Sequence, residues 1–282
     1  MITRKLARLI PIALLAIIIA SCSDENDNES GTKFTRITEL SADDSSENFH
    51  TDLSYDNQGR LVLYNEVASP FYPTAALSFG YLGADSKPVS AHYDIADHYF
   101  TYNAEGRLIK DSIFTDDGVS TQYTQVKRIS YPSASLIVVN SSTTGTGMGG
   151  TSQLSIDSIN IDIRGNATQL KTYFQNPLNV WYLHTLTTWQ YDNNKNPFGE
   201  LNVFPVFQPG FLNVFFSVMN SLLLQKNNCV SSASIFYEED GTIIGTDGWS
   251  FTPQYNSNDY ISETTATRAG SVAHYRYVFS YE

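Results

Sequence analysis

The chain has 282 residues, with 17 basic and 29 acidic side chains, a net charge of −12, and a 41% hydrophobic content. The acidic balance repels phosphate backbones, so nucleic acid is not an expected partner. The apolar fraction is enough for a folded core, which excludes disorder through the body of the chain.

Arg4, Lys5 and Arg8 precede an apolar run from Leu9 to Ala20, interrupted at Pro11, and small residues then lead to Ile19-Ala20-Ser21-Cys22. A basic head, a short apolar middle and a small-residue cut site predict a secretory signal over residues 1–21. The run is short of the roughly 20 apolar residues that a bilayer span takes. The Ile-Ala-Ser-Cys box resembles the lipobox of bacterial lipoproteins. That resemblance implies cleavage before Cys22, lipid on its thiol, and a membrane partner reached through this N-terminal anchor. Cleavage removes three bases and no acid, leaving 14 bases against 29 acids, a mature charge of −15.

Residues 22–33 carry Asp24, Glu25, Asp27 and Glu29 and no large apolar side chain before Phe34. Such a stretch cannot fold alone and reads as a flexible acidic tether. It resembles the acidic export tag behind the cysteine in surface lipoproteins of the Bacteroidota, which implies display at the outer membrane.

From residue 34 to 282 the chain reads as a single all-β domain. It holds 18 Tyr and 16 Phe, and several segments alternate with the period of a half-buried strand. The turn motif Leu53-Ser-Tyr-Asp-Asn-Gln-Gly-Arg-Leu61 recurs as Phe100-Thr-Tyr-Asn-Ala-Glu-Gly-Arg-Leu108. Looser copies start at Ile161, Trp189 and Ile235. An aromatic ends one strand, Asp or Asn caps the turn, Gly accepts positive φ, and an apolar residue starts the return. Chained hairpins predict an up-and-down antiparallel β-meander, forming a large curved sheet or a partly closed barrel. Val119, Thr121 and Tyr123, then Ile129 and Tyr131, share a predicted face. In Leu154, Ile156, Ile159, Ile161, Ile163 the apolar phase slips at Asp157-Ser158, which predicts a bulge or turn there. Trp181, Leu183, Thr185, Thr187, Trp189 and Tyr191 are expected to share one face. So are Tyr275, Tyr277, Phe279 and Tyr281. Between residues 211 and 226, Phe215, Val218, Met219, Leu222 and Leu223 have helical spacing, and a short buried helix is expected there.

The Tyr-Asp-x-x-Gly-Arg-Leu unit resembles the hairpin of YD (Rhs-type) repeats, although the copies are irregularly spaced. Trp189-Gln-Tyr-Asp-Asn-Asn-Lys-Asn-Pro-Phe198, an apolar stretch, and Asn227-Asn228 resemble a Bacteroidota lipoprotein family of unknown function described as having a porin-like fold. The resemblance brings no activity and no functional residues.

No catalytic or cofactor motif stands out, so no cofactor and no enzymatic activity are expected. Gly145-Thr-Gly-Met-Gly-Gly150 has the spacing of a dinucleotide loop, but Leu154-Ser-Ile156 alternates as a strand where a helix is needed. His92, Asp94 and His98 form the densest set of potential metal ligands, though exposed loop chemistry is the commoner role of such residues. Asp192-Asn-Asn-Lys-Asn196 starts like a calcium loop without its glycine and closing Glu, and reads as a turn. Cys229 has no partner for an intrachain disulfide once Cys22 is lipidated, and sits where a small buried hydrophobe fits. Asp111-Ser112-Ile113 and Asp157-Ser158-Ile159 resemble the O-glycosylation signal of exported Bacteroidota proteins, which implies modification at Ser112 and Ser158. The expected function is a non-enzymatic, lipid-anchored binding or structural module for a glycan or peptide. Trp181, Trp189 and Trp249 are the candidate glycan contacts, with core packing as the competing role of each. A polysaccharide hydrolase and an outer-membrane β-barrel are the alternatives.

Overall fold

A computed structural model describes residues 33–41, 48–67, 75–93, 95–116, 122–145, 153–197, 226–271 and 274–282. In chain order the strands are β1 (Phe34–Ser41), β2 (Phe49–Tyr55), β3 (Leu61–Val67), β4 (Ala75–Tyr81), β5 (Pro88–Tyr93), β6 (Ala96–Tyr102), β7 (Leu108–Asp116) and β8 (Gln122–Ser133). They continue as β9 (Leu136–Gly145), β10 (Gln153–Ile161), β11 (Ala167–Gln175), β12 (Trp181–Lys195), β13 (Asn227–Tyr237), β14 (Ile243–Tyr255), β15 (Ile261–Arg268) and β16 (His274–Tyr281). Each pairs with the next, and β1 pairs antiparallel with β16, so the meander closes into a sixteen-stranded barrel. The expected meander is present, and closure is complete where the sequence left the sheet partly open. Closure pairs both edges of the sheet, which leaves no unpaired strand to recruit another chain. Among the described residues there is no α-helix; the helix expected at 211–226 falls outside them, apart from Lys226.

The recurring turn is one geometry used repeatedly. In the turns opening at Asp56, Asn103, Asp162, Asn176, Glu238 and Asn256, the first residue's N–H reaches the fifth residue's carbonyl. The fourth residue's N–H returns to the first carbonyl. The fourth slot is Gly59, Gly106, Gly165, Asn179, Gly241 or Asp259, every one at positive φ. Where the opening residue is Asp or Asn its side chain takes the turn amides, as Asp56 Oδ1 does from Gln58 and Arg60 at 2.9 Å each.

Gly59→Val forces a β-branched residue into the left-handed region at φ 76° and should cost about 1–3 kcal/mol. Gly106→Val should cost the same, about 1–3 kcal/mol, since φ there is 72° and the atom a Cβ meets is the tip of the flexible Lys87 side chain. Gln58→Ala and Glu105→Ala, at exposed tips, should melt as wild type. Melting curves of the four variants check this.

The motif's tyrosine joins one hairpin to the next. Tyr55, Tyr81, Tyr102, Tyr131, Tyr191, Tyr255 and Tyr281 lie at or within four residues of the ends of even-numbered strands and turn inward at one end of the barrel, with Ile161 in the same slot on β10. Six of their hydroxyls, all but that of Tyr255, donate to the carbonyl of the first residue of the preceding strand. Tyr55 reaches Phe34, Tyr81 Leu61, Tyr102 Pro88, Tyr131 Leu108, Tyr191 Ala167 and Tyr281 Ile261, at 2.6–2.9 Å. The basic residue of one turn then lies over the next hairpin's ring, Arg60 on Tyr81 and Arg107 on Tyr131, 4.3 and 5.2 Å from the centroids. The Tyr, Arg and Leu of the motif therefore make the joint between hairpins, and burial pushes the phenols of Tyr55, Tyr102 and Tyr191 up.

Polarity inside the barrel rises with distance from this tyrosine ring. Two residues further in, the inward positions of the even strands are Leu53, Phe79, Phe100, Ile129, Ile159, Trp189, Pro253 and Phe279, a wholly apolar layer. Two residues beyond that they are Thr51, Leu77, His98, Lys127, Asp157, Thr187, Phe251 and Tyr277. The core thus plugs the tyrosine end, and polar side chains line the interior toward the far end.

Two sequence expectations change. Strand β10 pairs with β9 without interruption from Gln153 to Asn160, so there is no bulge at Asp157-Ser158. Leu154 and Ile156 face out, while Asp157 occupies an inward slot among apolar neighbours. In β12 the register against β11 shifts between Leu183 and Thr185. That shift turns Trp181 and Leu183 to the opposite face from Trp189. The alternation in Tyr275, Tyr277, Phe279 and Tyr281 runs as expected, along the inner face of β16. Val119 and Thr121 lie outside the described residues.

Candidate functional site

The polar interior is built around Lys127. It is 8% exposed on the inner face of β8, beside Asp111 of β7 at 1%. Asp157, on the inner face of β10, is 9% exposed. Burial pushes the Lys127 ammonium down, and both carboxylates oppose that shift. Burial likewise pushes the Asp157 carboxyl up, against a 2.7 Å hydrogen bond from Thr172 Oγ1 and the charge of Lys127. His98 Nδ1 lies 3.2 Å from both oxygens of Asp111. A buried charge is tolerable only when paired and hydrogen-bonded, and five side chains from β6 to β11, His98, Asp111, Lys127, Asp157 and Thr172, supply those partners, with both carboxylates favouring the charged lysine.

Sequence reading missed this network. Its signal was present: Asp111 and Asp157 open the two Asp-Ser-Ile triplets. In both triplets Asp faces in, Ser faces out and Ile faces in. Ser112 and Ser158 therefore stand on the outer wall as half-buried strand residues. The triplets have a structural role through their acids.

A second polar group sits on the wall formed by β1, β2, β3 and β16, where Glu66 faces Thr51 and Glu39 faces Tyr277. Burial holds the Glu66 carboxyl up at about 7. Its folded value lies above its unfolded one, so folding favours the protonated form. The stability it allows is present at acid pH and lost as pH rises through about 7. Glu66→Gln should therefore stabilise the barrel by about 2 kcal/mol at pH 8.5 and by little at pH 4. Denaturant midpoints at the two pH values check this.

The other sequence candidates are dispersed. His92 is on the outer face, 2.7 Å from Asp97, whereas His98 is inside. The two histidines thus point to opposite sides of the wall, and Asp94 lies outside the described residues. Among the described residues no three His, Cys, Asp or Glu side chains gather as metal ligands. Trp189 and Trp249 are 8% and 9% exposed, inside, and Trp181 is 40% exposed, outside. The three make no common platform. Trp249 Nε1 donates to Asp247 at 3.1 Å, and Arg268 binds the same carboxylate at 2.8 Å. Cys229 is 1% exposed, and burial pushes its thiol up to about 12, which leaves it protonated at neutral pH. The glycine-rich stretch lies, beyond Gly145, outside the described residues, and the next described element is strand β10 from Gln153, where a dinucleotide loop needs a helix.

The asparagine-rich block has a concrete role. Asn166 and Asn227 exchange hydrogen bonds at 2.8 and 2.9 Å, Asn227 also donates to the Asn194 carbonyl, and the Asn228 amide reaches Asp192. Tyr255 donates its hydroxyl to Asp192, where the other ring tyrosines reach a backbone carbonyl. These groups fasten the base of the long connection between β12 and β13. Asp192 and Asn194 thus serve as structural acceptors.

The barrel has counterparts among solved structures. The fold is porin-like. A porin-like protein from Bacteroides vulgatus ATCC 8482 superposes with a TM-score of 0.57 at 13% identity, over 89% of this chain and 99% of that one. A porin-like protein from Bacteroides uniformis ATCC 8492 does so at 0.50 and 12%, over 89% and 98%. At these identities the likeness is one of fold. No family model matches the chain, and no curated protein does.

The outer face decides how such a barrel meets its surroundings. Arg128 and Asn140, near the middle of β8 and β9, are exposed and paired with each other in register. Lys110, Ser130, Thr144, Asn160, Gln190, Ser250 and Thr252 are exposed on the same outer wall. Arg36–Asp52 and Arg276–Glu263 add ion pairs to it, and His92 and Asp97 share a hydrogen bond. A membrane-spanning barrel carries an apolar outward band about 25 Å tall around a polar lumen. Here the apolar layers face inward.

Proposed function

We propose that the chain is an outer-membrane lipoprotein whose barrel stands in water on an acidic tether from Cys22 and serves as a non-enzymatic binding module. The observation that carries this reading is the outer wall, where charged and polar residues such as Lys110, Arg128 and Asn140 stand exposed within the strands, while the apolar layers next to the tyrosine ring face inward. Arg or Lys at a bilayer midplane costs about 2–4 kcal/mol each in a barrel, and Arg128 stands mid-strand. The lipobox at Ile19-Ala-Ser-Cys22 supplies the attachment that such a wall does not. Asp111 and Asp157 are sealed on either side of Lys127, at 1% and 9% exposure, out of a sugar's reach.

A membrane-spanning barrel is the second reading, favoured by the sixteen-stranded closure and the porin-like neighbours. One comparison separates the two. Residues 33–282, expressed alone, should be soluble and β-rich without detergent. Full-length Cys22→Ala should leave the membrane fraction or remain uncut, and lose palmitate labelling. Detergent dependence of the isolated barrel, or membrane residence after alkaline washing of Cys22→Ala that has lost residues 1–21, would favour the spanning barrel.

A further inference from the structure

The end of the barrel opposite the tyrosine ring carries two tight hairpin tips of unusual composition. The turn between β11 and β12 is Asn176-Pro-Leu-Asn-Val180, and the turn between β13 and β14 is Glu238-Glu-Asp-Gly-Thr242. Both share the backbone geometry of the turns at the tyrosine end. Those turns place Arg60, Arg107, Asn166 and Tyr260 in the fifth slot, and Arg60 is held by Asp56 and by the Gly83 and Asp85 carbonyls. At the far end the equivalent region holds Leu178 at 80% exposure, Val180 at 55%, Trp181 at 40%, and Ile243 and Ile244 at 56% each. The two tips belong to neighbouring hairpins, and the Asn176 amide donates to the Glu239 carboxylate to tie them together. Strand pairing spans only two steps between them, about 10 Å at the usual strand spacing. Solvent-exposed aliphatic and Trp side chains gathered in this way mark an interaction surface.

We propose that these two tips form a docking surface for a protein partner whose contact face is apolar and rimmed by lysine or arginine. Charge supplies the identity of the occupant. Glu238, Glu239 and Asp240 are exposed beside Ile243 and Ile244, and residues 176–184 and 237–249 contain no Lys or Arg. An anionic bilayer would be repelled by that rim, since interfacial membrane binding draws on basic residues around the apolar contact. A second copy would bring the same acids face to face. Position agrees, because Lys33 pairs with Glu282 at the tyrosine end. The first described residue of the barrel therefore lies at the end away from these tips.

Photocrosslinking amino acids placed at Leu178, at Ile244 and, as a control, at the fully exposed Ile163 of the tyrosine end test the assignment in the producing cell. The first two positions should give the same discrete protein adduct, and Ile163 should not. The crosslinked partner peptide should combine apolar with Lys or Arg residues. Glu238→Lys, which leaves the hydrogen bond from the Thr242 amide to Asp240 in place, should reduce the adduct several-fold while melting and membrane fractionation stay as in wild type. Adducts to lipid, adducts to the chain itself, or no discrete adduct overturn the proposal, as does a yield indifferent to the charge reversal. Detachment of the whole protein from the membrane is read separately by fractionation, so failure of the anchor and failure of the docking surface are distinguishable.

Discussion

Lys127→Met should destabilise the barrel by about 3–5 kcal/mol at pH 7, the cost of leaving a buried charge without its partner. The substitution keeps most of the side-chain volume, so cavity formation contributes little. What remains is the Asp111 and Asp157 pair on the inner wall with no lysine beside it. Asp157 is already pushed up by burial, with Thr172 and Lys127 as its opposing partners. Without the lysine it holds its proton to higher pH still. A raised folded-state pKa gives stability at acid pH that is lost as pH rises, so the deficit of Lys127→Met should shrink on acidification. Adding Asp157→Asn should recover part of the loss at pH 7, because the orphaned charge is removed and Thr172 retains an acceptor. Denaturant midpoints at pH 7 and pH 4.5 for the two single variants and the double variant give the coupling directly. A Lys127→Met midpoint equal to wild type at pH 7 would mean that the network is not closed around this lysine.

The same network explains where sequence reading stopped. Period-two alternation finds strands by following apolar residues, and it identified the all-β class, the hairpin turns and the inward face of β16. At Asp157 the inward residue is an acid, so the pattern looked like a phase slip although the backbone pairing is unbroken. In β12 the opposite happened: Trp181 through Tyr191 alternate without a break, while a bulge reverses the face between Leu183 and Thr185. Side-chain type alone does not reveal which residue a bulge skips, because that depends on the partner strand. The turn motif was legible as a turn, since Asp, Gly and the following Leu each have a local reason to be there. The reasons for its Tyr and Arg are non-local. Each Tyr answers a carbonyl on the preceding strand and each Arg covers a ring on the next hairpin. Complete closure was out of reach for a related reason. It rests on the pairing of Phe34–Ser41 with His274–Tyr281 across the whole chain, and no local pattern encodes it.

Trp189→Ala should cost about 3–5 kcal/mol, the range for truncating a buried aromatic, and should do so without any ligand present. Trp189 belongs to the apolar layer next to the tyrosine ring. Its neighbours along β12 are Thr187 toward the far end and Tyr191, whose hydroxyl reaches Ala167 at 2.6 Å. Truncation opens a void between the plugged end and the polar interior, and the interior relaxes only partly around such a loss. Trp189→Phe keeps a ring in the layer and should cost less than half as much. Trp181→Ala removes a side chain on the outer face at the rim and should change stability by less than about 0.5 kcal/mol. The two tryptophans, eight residues apart and equivalent by alternation, thus separate by mechanism: one holds the barrel together and the other faces its surroundings. If Trp181→Ala melts as wild type while Trp189→Ala unfolds several degrees earlier, the bulge between Leu183 and Thr185 is in place. Equal melting shifts would put both side chains on one face and return β12 to a regular strand.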